Sequence, residues 1–266
     1  LVGNQAASDV NPEALPDLLQ TIHEQIIPRL VLAHCPEPMT PAVCADSRLP
    51  PTPIEVEEFA RIAACEDLSS ALGFIESICR QGLSLEAALL DLIAPAARLL
   101  GEQWKDDSRT FTEVTSALGV LQQVVHVLGP TFAPTLPHRG FVVLVAAPSE
   151  QHTLGLYLLG EFLRRDGWGV QVSPGLSESD LVDLVASEQV AMVGFSVSNP
   201  ELLKPLARTI AAVKKATCNP GMGVLIGGPL DLVSFSQQHA IEMCTSDPRD
   251  AVRWLEHHAR RCKAIS

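Results

Sequence analysis

The sequence predicts an α/β plus all-α protein: an N-terminal helical bundle followed by a doubly wound parallel sheet. Two observations carry this. From about residue 136 onward, strand-like runs at 141–147, 168–173, 190–196 and 222–227 alternate with helical patterns at 153–166, 177–187, 200–216 and 248–262. Strict alternation of that kind is solved by parallel strands with helices on both faces. Upstream, apolar residues recur only at helical spacing. The expected domains are therefore 1–135 and 136–266, with a proline-rich loop at 35–53 inside the first.

In the first half, residues 1–10 are small and polar and should fray. Leu15, Leu18, Leu19, Ile22, Ile26, Ile27, Leu30 and Val31 predict a helix from Pro12, kinked by Pro28. Six prolines between His34 and Pro53 then predict a loop. Thr52-Pro53-Ile54-Glu55 is a helix start, with an N-cap candidate, proline in the first turn and acid near the positive dipole end. Helices are expected to about Cys65, then over 67–81 and 84–104, the last interrupted by Pro95. A further helix runs from Thr110 to Leu128, stopped by Gly129-Pro130, and Pro130–Pro137 reads as a linker.

The second half opens on Phe141-Val142-Val143-Leu144-Val145, a continuous apolar run of the kind that parallel strands buried on both faces require. A weak fifth strand is expected at 240–244, after a short helix. Three loops should meet at the carboxyl edge of this sheet, where open α/β sheets bind ligands. They carry Glu150, His152 and Gly155; then Ser196 and Ser198; then Gly227 and Gly228. Imidazole can ligate a metal, hydroxyls can receive a polar ligand tail, and glycines allow close backbone approach.

Charge excludes one function class. With 19 basic against 31 acidic residues the net charge is −12, whereas direct nucleic-acid binding draws on a basic face. No apolar run approaches the roughly 20 residues of a membrane span, and no signal peptide is recognised, so a cytoplasmic protein is expected. The seven cysteines form no Cys-x-x-Cys pair and read as reduced thiols. Cys65 and Cys79 are expected in the core, while Cys35 and Cys44 flank the proline-rich loop.

Glu150-x-His152-x-x-Gly155, 40 intervening residues, Ser196-x-Ser198, 28 more and Gly227-Gly228 resemble the signature of the cobalamin-binding, flavodoxin-like fold. The resemblance implies that His152 is the lower axial ligand of a metal, with Glu150 bonded to its ring and the serine and glycine turns beside a buried cofactor tail. Two positions depart from the family: Glu150 stands where Asp is usual and Ser198 where Leu is usual. Leu99-Leu100-Gly101-Glu102-x-Trp104 resembles the tryptophan-bearing segment of the helical cap, which makes Trp104 a candidate cofactor contact. Light-sensing members carry an upper-ligand histidine after a glutamate; here Glu113-Val114 occurs one residue early and without it.

The run from Trp104 through Phe111, Val114, Thr115 and Leu118 to Gln122, together with Ile27–His34 and Pro148–Gly155, resembles the PpaA/AerR/AppA-type antirepressors of photosynthetic bacteria. That resemblance implies a partner, a PpsR/CrtJ-type repressor, and a tetrapyrrole that is either haem or cobalamin. The absence of an initiating Met makes an N-terminal flavin-binding (BLUF) module the expected missing neighbour. No Gly-x-Ser-x-Gly, Walker loop or His-Glu-x-x-His is present, so no enzyme is expected. The alternatives are a corrinoid methyl carrier and a pure interaction module with a vestigial, empty pocket.

Overall fold

The computed structural model describes residues 49–65, 67–129 and 139–263, the last four as backbone alone. The expected helix from Pro12, its kink at Pro28, Cys35, Cys44, the loop up to residue 48 and the linker at 130–137 lie outside the described residues. Within Val43–Ser266, the helices and the sheet form one compact unit.

The helical part begins with α1 (Pro53–Ala64), whose Thr52 cap and Glu55 close a reciprocal capping box. Next come α2 (Leu68–Arg80), capped by Asp67, and α3 (Leu85–Ala87), capped by Ser84. The chain then continues without a break through a π-helical segment, Ala88–Ile93, into α4 (Ala94–Lys105). Pro95 was expected to interrupt this helix. Instead the wider π turn immediately before it absorbs the missing donor and the ring clash. The last helix of the bundle, α5 (Phe111–Leu128), starts on a second capping box, Thr110 with Glu113. Phe59, Ile75, Leu89, Leu92, Leu100 and Leu121, all fully buried, form the bundle core. Cys65 corrects its expectation: it ends α1 exposed, and Cys79 is only half-buried.

The α/β part alternates β1 (Phe141–Ala146), α6 (Leu154–Arg165), β2 (Gly169–Val172), α7 (Glu178–Ser187), β3 (Val190–Ser196), α8 (Leu203–Ala216), β4 (Gly223–Gly227), α9 (Val233–Gln238), β5 (Met243–Cys244) and α10 (Pro248–Lys263). All neighbouring strands are parallel, in the order β2-β1-β3-β4-β5. Side chains alternate across each strand. Val143, Val145, Val193 and Phe195 pack with α7 and α8, whereas Val142, Leu144 and Met192 pack with α6 and α10.

Register decides what meets at the sheet's carboxyl edge. Ala146 pairs with Ser196, and Ser196 with Gly227, so β1, β3 and β4 end abreast. The pairing continues one step beyond the strands, Ala147 N–H to Ser196 O and Val197 N–H to Gly227 O, both at 2.9 Å. The three loops named from the sequence therefore leave the sheet side by side.

The bundle is seated on the α/β part through polar contacts. Gln122 of α5 donates to the Thr153 hydroxyl at 2.8 Å, beside His152. Lower down, Glu86 meets Arg165 of α6 at 2.8 Å and Arg249 of α10 at 3.5 Å, and Asp91 of the π segment meets Arg249 at 3.4 Å.

Candidate tetrapyrrole site

A tight turn after β1 aims the first functional carboxylate. Glu150 N–H returns to Ala147 O at 2.8 Å, Pro148 supplies a fixed φ, and Ser149 takes the left-handed region at φ 68°. Glu150 is thereby carried across the edge toward the loop after β3. Its Oε2 accepts from Ser198 N–H at 2.5 Å and from the Ser198 hydroxyl at 2.7 Å. Its Oε1 accepts from the backbone N–H of Gln151 and of His152, both at 2.8 Å, and lies 2.7 Å from His152 Nδ1. Burial by itself pushes the Glu150 carboxyl up. The His152 N–H, the Ser198 hydroxyl, the His152 ring and the Ser198 N–H outweigh that and bring it down to about 2.

An ionised carboxylate only accepts, so the network assigns the imidazole proton to Nδ1, donated to Glu150. Ser198 Oγ lies 2.8 Å from the same nitrogen and gives its own proton to Glu150. In the neutral ring this leaves the lone pair on Nε2, and no hydrogen-bond partner occupies that nitrogen among the described residues. The Glu150 side chain is 2% exposed and that of His152 is 69% exposed: the acid is interior, and the imidazole projects outward. An oriented, carboxylate-polarised neutral imidazole is what a metal requires of a histidine ligand.

The remaining predicted residues divide. Ser196 donates weakly to His152 O at 3.4 Å and so steadies the loop. Ser198, expected beside a ligand tail, instead spends its hydroxyl on Glu150 and His152. A Cβ on Gly228, at φ 140°, would lie 2.0 Å from Val197 O, and one on Gly227 would lie 2.7 Å from Thr245 O. The close approach these glycines permit is to the chain's own carbonyls. Gly155, in the first turn of α6, has nothing within 4 Å of an added Cβ and leaves open surface next to His152.

Trp104 stands apart. It is 45% exposed and tilts onto Phe111, itself exposed, with ring centroids 6.0 Å apart. Phe111, Thr115, Leu118 and Gln122 share one face of α5 by helical spacing. Since Gln122 touches Thr153, Phe111 lies about 16 Å further along the axis. Glu113 is engaged by Thr110 in the capping box, and Val114 is 6% exposed in the bundle core. Position 114 is thus taken up by packing in the bundle core. Gln122 and Thr153 were not singled out from sequence as a pair; nothing in either residue type reveals a contact made across 31 positions.

Among the described residues, no three His, Cys, Asp or Glu side chains gather as a metal site. A metal held at His152 would have one protein ligand among the described residues, which suits a metal whose remaining positions a macrocycle fills. The residues fit such a group at its metal end: a lone pair on Nε2, an exposed ring and open space at Gly155.

No family model matches the chain. Its fold is similar to that of the monomethylamine corrinoid protein of Methanosarcina barkeri, with a TM-score of 0.65 and 10% identity over 75% of this chain and 96% of that one. A cobalamin-binding protein from Desulfitobacterium hafniense aligns at 18% identity over 76% of this chain and 98% of that one, with a TM-score of 0.43, too low to add to the argument. The first likeness and the strand order establish the cobalamin-binding type of flavodoxin-like sheet as the fold. In sequence, the chain is 31% identical over 144 residues, 52% of its own length and 73% of the relative's, to an uncharacterized 20.5 kDa protein in the bchF-crtJ intergenic region of Rhodobacter capsulatus. With that identity and coverage, the chain belongs to the same family as this Rhodobacter capsulatus protein.

Proposed function

We propose that the chain is a regulatory binding module in which His152 is the lower axial ligand of a metal tetrapyrrole. Cobalamin is the first candidate and haem the second. The observation that carries this reading is the imidazole whose Nδ1 is held by Glu150 and Ser198 while its ring is 69% exposed. His152 would hold the metal through Nε2, Glu150 would keep the ring basic and oriented, and Gly155 would leave room at the mouth. When bound, the group would supply a metal centre whose oxidation state or upper ligand can change. The face of α5 that carries Gln122, Leu118 and Thr115 would register such a change, because Gln122 is bonded to the loop that holds His152.

The output is a partner rather than a product. A hydrolytic triad places acid and nucleophile on opposite ring nitrogens; here Glu150 and Ser198 both address Nδ1. A cytoplasmic PpsR/CrtJ-type repressor is the partner we infer. The resemblance to the PpaA/AerR/AppA-type antirepressors and the relative's position beside crtJ support it. Within that group we favour the C-terminal half of AppA, whose flavin-binding BLUF module would supply a light input.

Reconstitution with cobalamin and, separately, with haemin, followed by gel filtration and visible spectroscopy, tests the ligand. Stoichiometric retention is expected, with a metal-centred band that His152→Ala abolishes while the melting temperature moves little. An unchanged band removes His152 as the ligand. Retention of neither compound leaves the pure interaction module, a reading favoured by the self-filled turn at Gly227-Gly228. A pull-down with a PpsR-type repressor tests the partner, and no complex overturns it.

A further inference from the structure

A second concavity opens at the same sheet edge but on the other face, under α7 and α8. It is an open cleft of about 520 Å³ between the end of β1, the loop into α7, β3 and α8, within the size range of small-molecule sites. Its floor is apolar: Val145, Leu181 and Phe195 belong to the core on the α7/α8 side, with Leu176 packed against it. β1 sends its helix to one face and β3 to the other, so this is the switch point of the sheet, where a crevice forms by topology.

Charge at the rim selects the ligand. Glu150 lines the cleft, but both its oxygens are bonded to the His152 loop and Ser198. The carboxylate of Glu178 accepts from the hydroxyl of Thr209, a residue only 3% exposed. Arg208 lines the same cleft, is exposed, and has no ion pair among the described residues. Arg208 is the one cationic side chain among the described residues of the lining, beside two carboxylates that already accept from hydroxyl donors, and it stands at the rim of an apolar floor.

We propose that this cleft is a second ligand site, taking a small molecule with an apolar body and one anionic group that pairs with Arg208. The body lies on Phe195, Val145 and Leu176, and the carboxylate or comparable anion meets the guanidinium at the rim. The site does not depend on the tetrapyrrole reading, since neither His152 nor any residue of α6 is part of its lining.

Calorimetric titration of the full chain with 2-naphthoate, naphthalene-2-methanol and 2-naphthylmethylamine tests the proposal. The three share one body and differ in charge. Expected is one saturable site for 2-naphthoate, weakened about tenfold or more by Arg208→Gln, with the neutral alcohol binding more weakly and indifferent to that change. Leu176→Trp, at a partly buried loop position, should block both. In ¹H–¹⁵N spectra, shifts should gather at residues 174–178 and 205–209. No saturable binding, an amine that binds as tightly as the acid, insensitivity to both substitutions, or shifts gathered at 152–155 would each overturn it.

Discussion

The Gly227-Gly228 turn and the Gly155 turn carry the same residue type at the same sheet edge, and they serve opposite purposes. At the first, any side chain meets a backbone carbonyl of the chain itself; at the second, an added Cβ meets nothing. The first pair is thus required by the floor of the site whether or not a ligand ever arrives. The second is dispensable to the fold and sits where a ligand would lie. A shared signature therefore mixes architecture with recognition, and only packing separates them.

The contrast is broken most severely at Gly228. Gly228→Ala forces a side chain into φ 140° and toward Val197 O, and should cost at least about 3 kcal/mol or prevent folding. Urea denaturation measures it. Gly155→Ala, by the same method, should be neutral or stabilising by up to about 1 kcal/mol, because Gly is the poorer helix former. Equal losses at the two positions would erase the distinction.

Glu150 comes next, as the buried link between floor and mouth. Its folded value of about 2 lies below the ordinary 4.5, so its stabilisation is complete above 4.5 and is lost as pH falls toward 2. Glu150→Gln should lower stability at neutral pH by roughly 2–3 kcal/mol. The gap from the parent protein should close over that acid window in pH-dependent denaturant titrations.

The smallest effect is expected far from both turns. Glu86→Gln removes ion pairs to Arg165 and Arg249, all of them a third or more exposed. It should cost less than about 1 kcal/mol, a difference that 1 M salt erases.

Much of this fold is legible in sequence, because a strand buried on both faces must be apolar along its length. Phe141–Ala146 and Val190–Ser196 announce themselves in that way, and each is followed by one amphipathic helix. The convergence of Glu150, His152 and Ser198 follows from the same pattern, since strand ends set loop positions. What a residue type does not disclose is its partner. Ser198 reads equally well as a ligand contact and as a donor to Glu150. Pro95 reads as a break until the π turn before it is seen. The cleft at Arg208 leaves no motif, because its walls come from four separate segments whose closeness only the folded sheet supplies.

The parallel register that sets Ala146, Ser196 and Gly227 abreast also acts as a ruler on the chain. An insertion within α6, α7 or the loops at the amino edge can bulge outward without moving the strand ends. A single-residue deletion inside β3 cannot be absorbed in that way. It would exchange the faces of Phe195 and Ser196 and draw Ser198 one step back from Glu150. Length change should therefore be tolerated over most of the interval from His152 to Ser198 and forbidden in its last seven residues of strand.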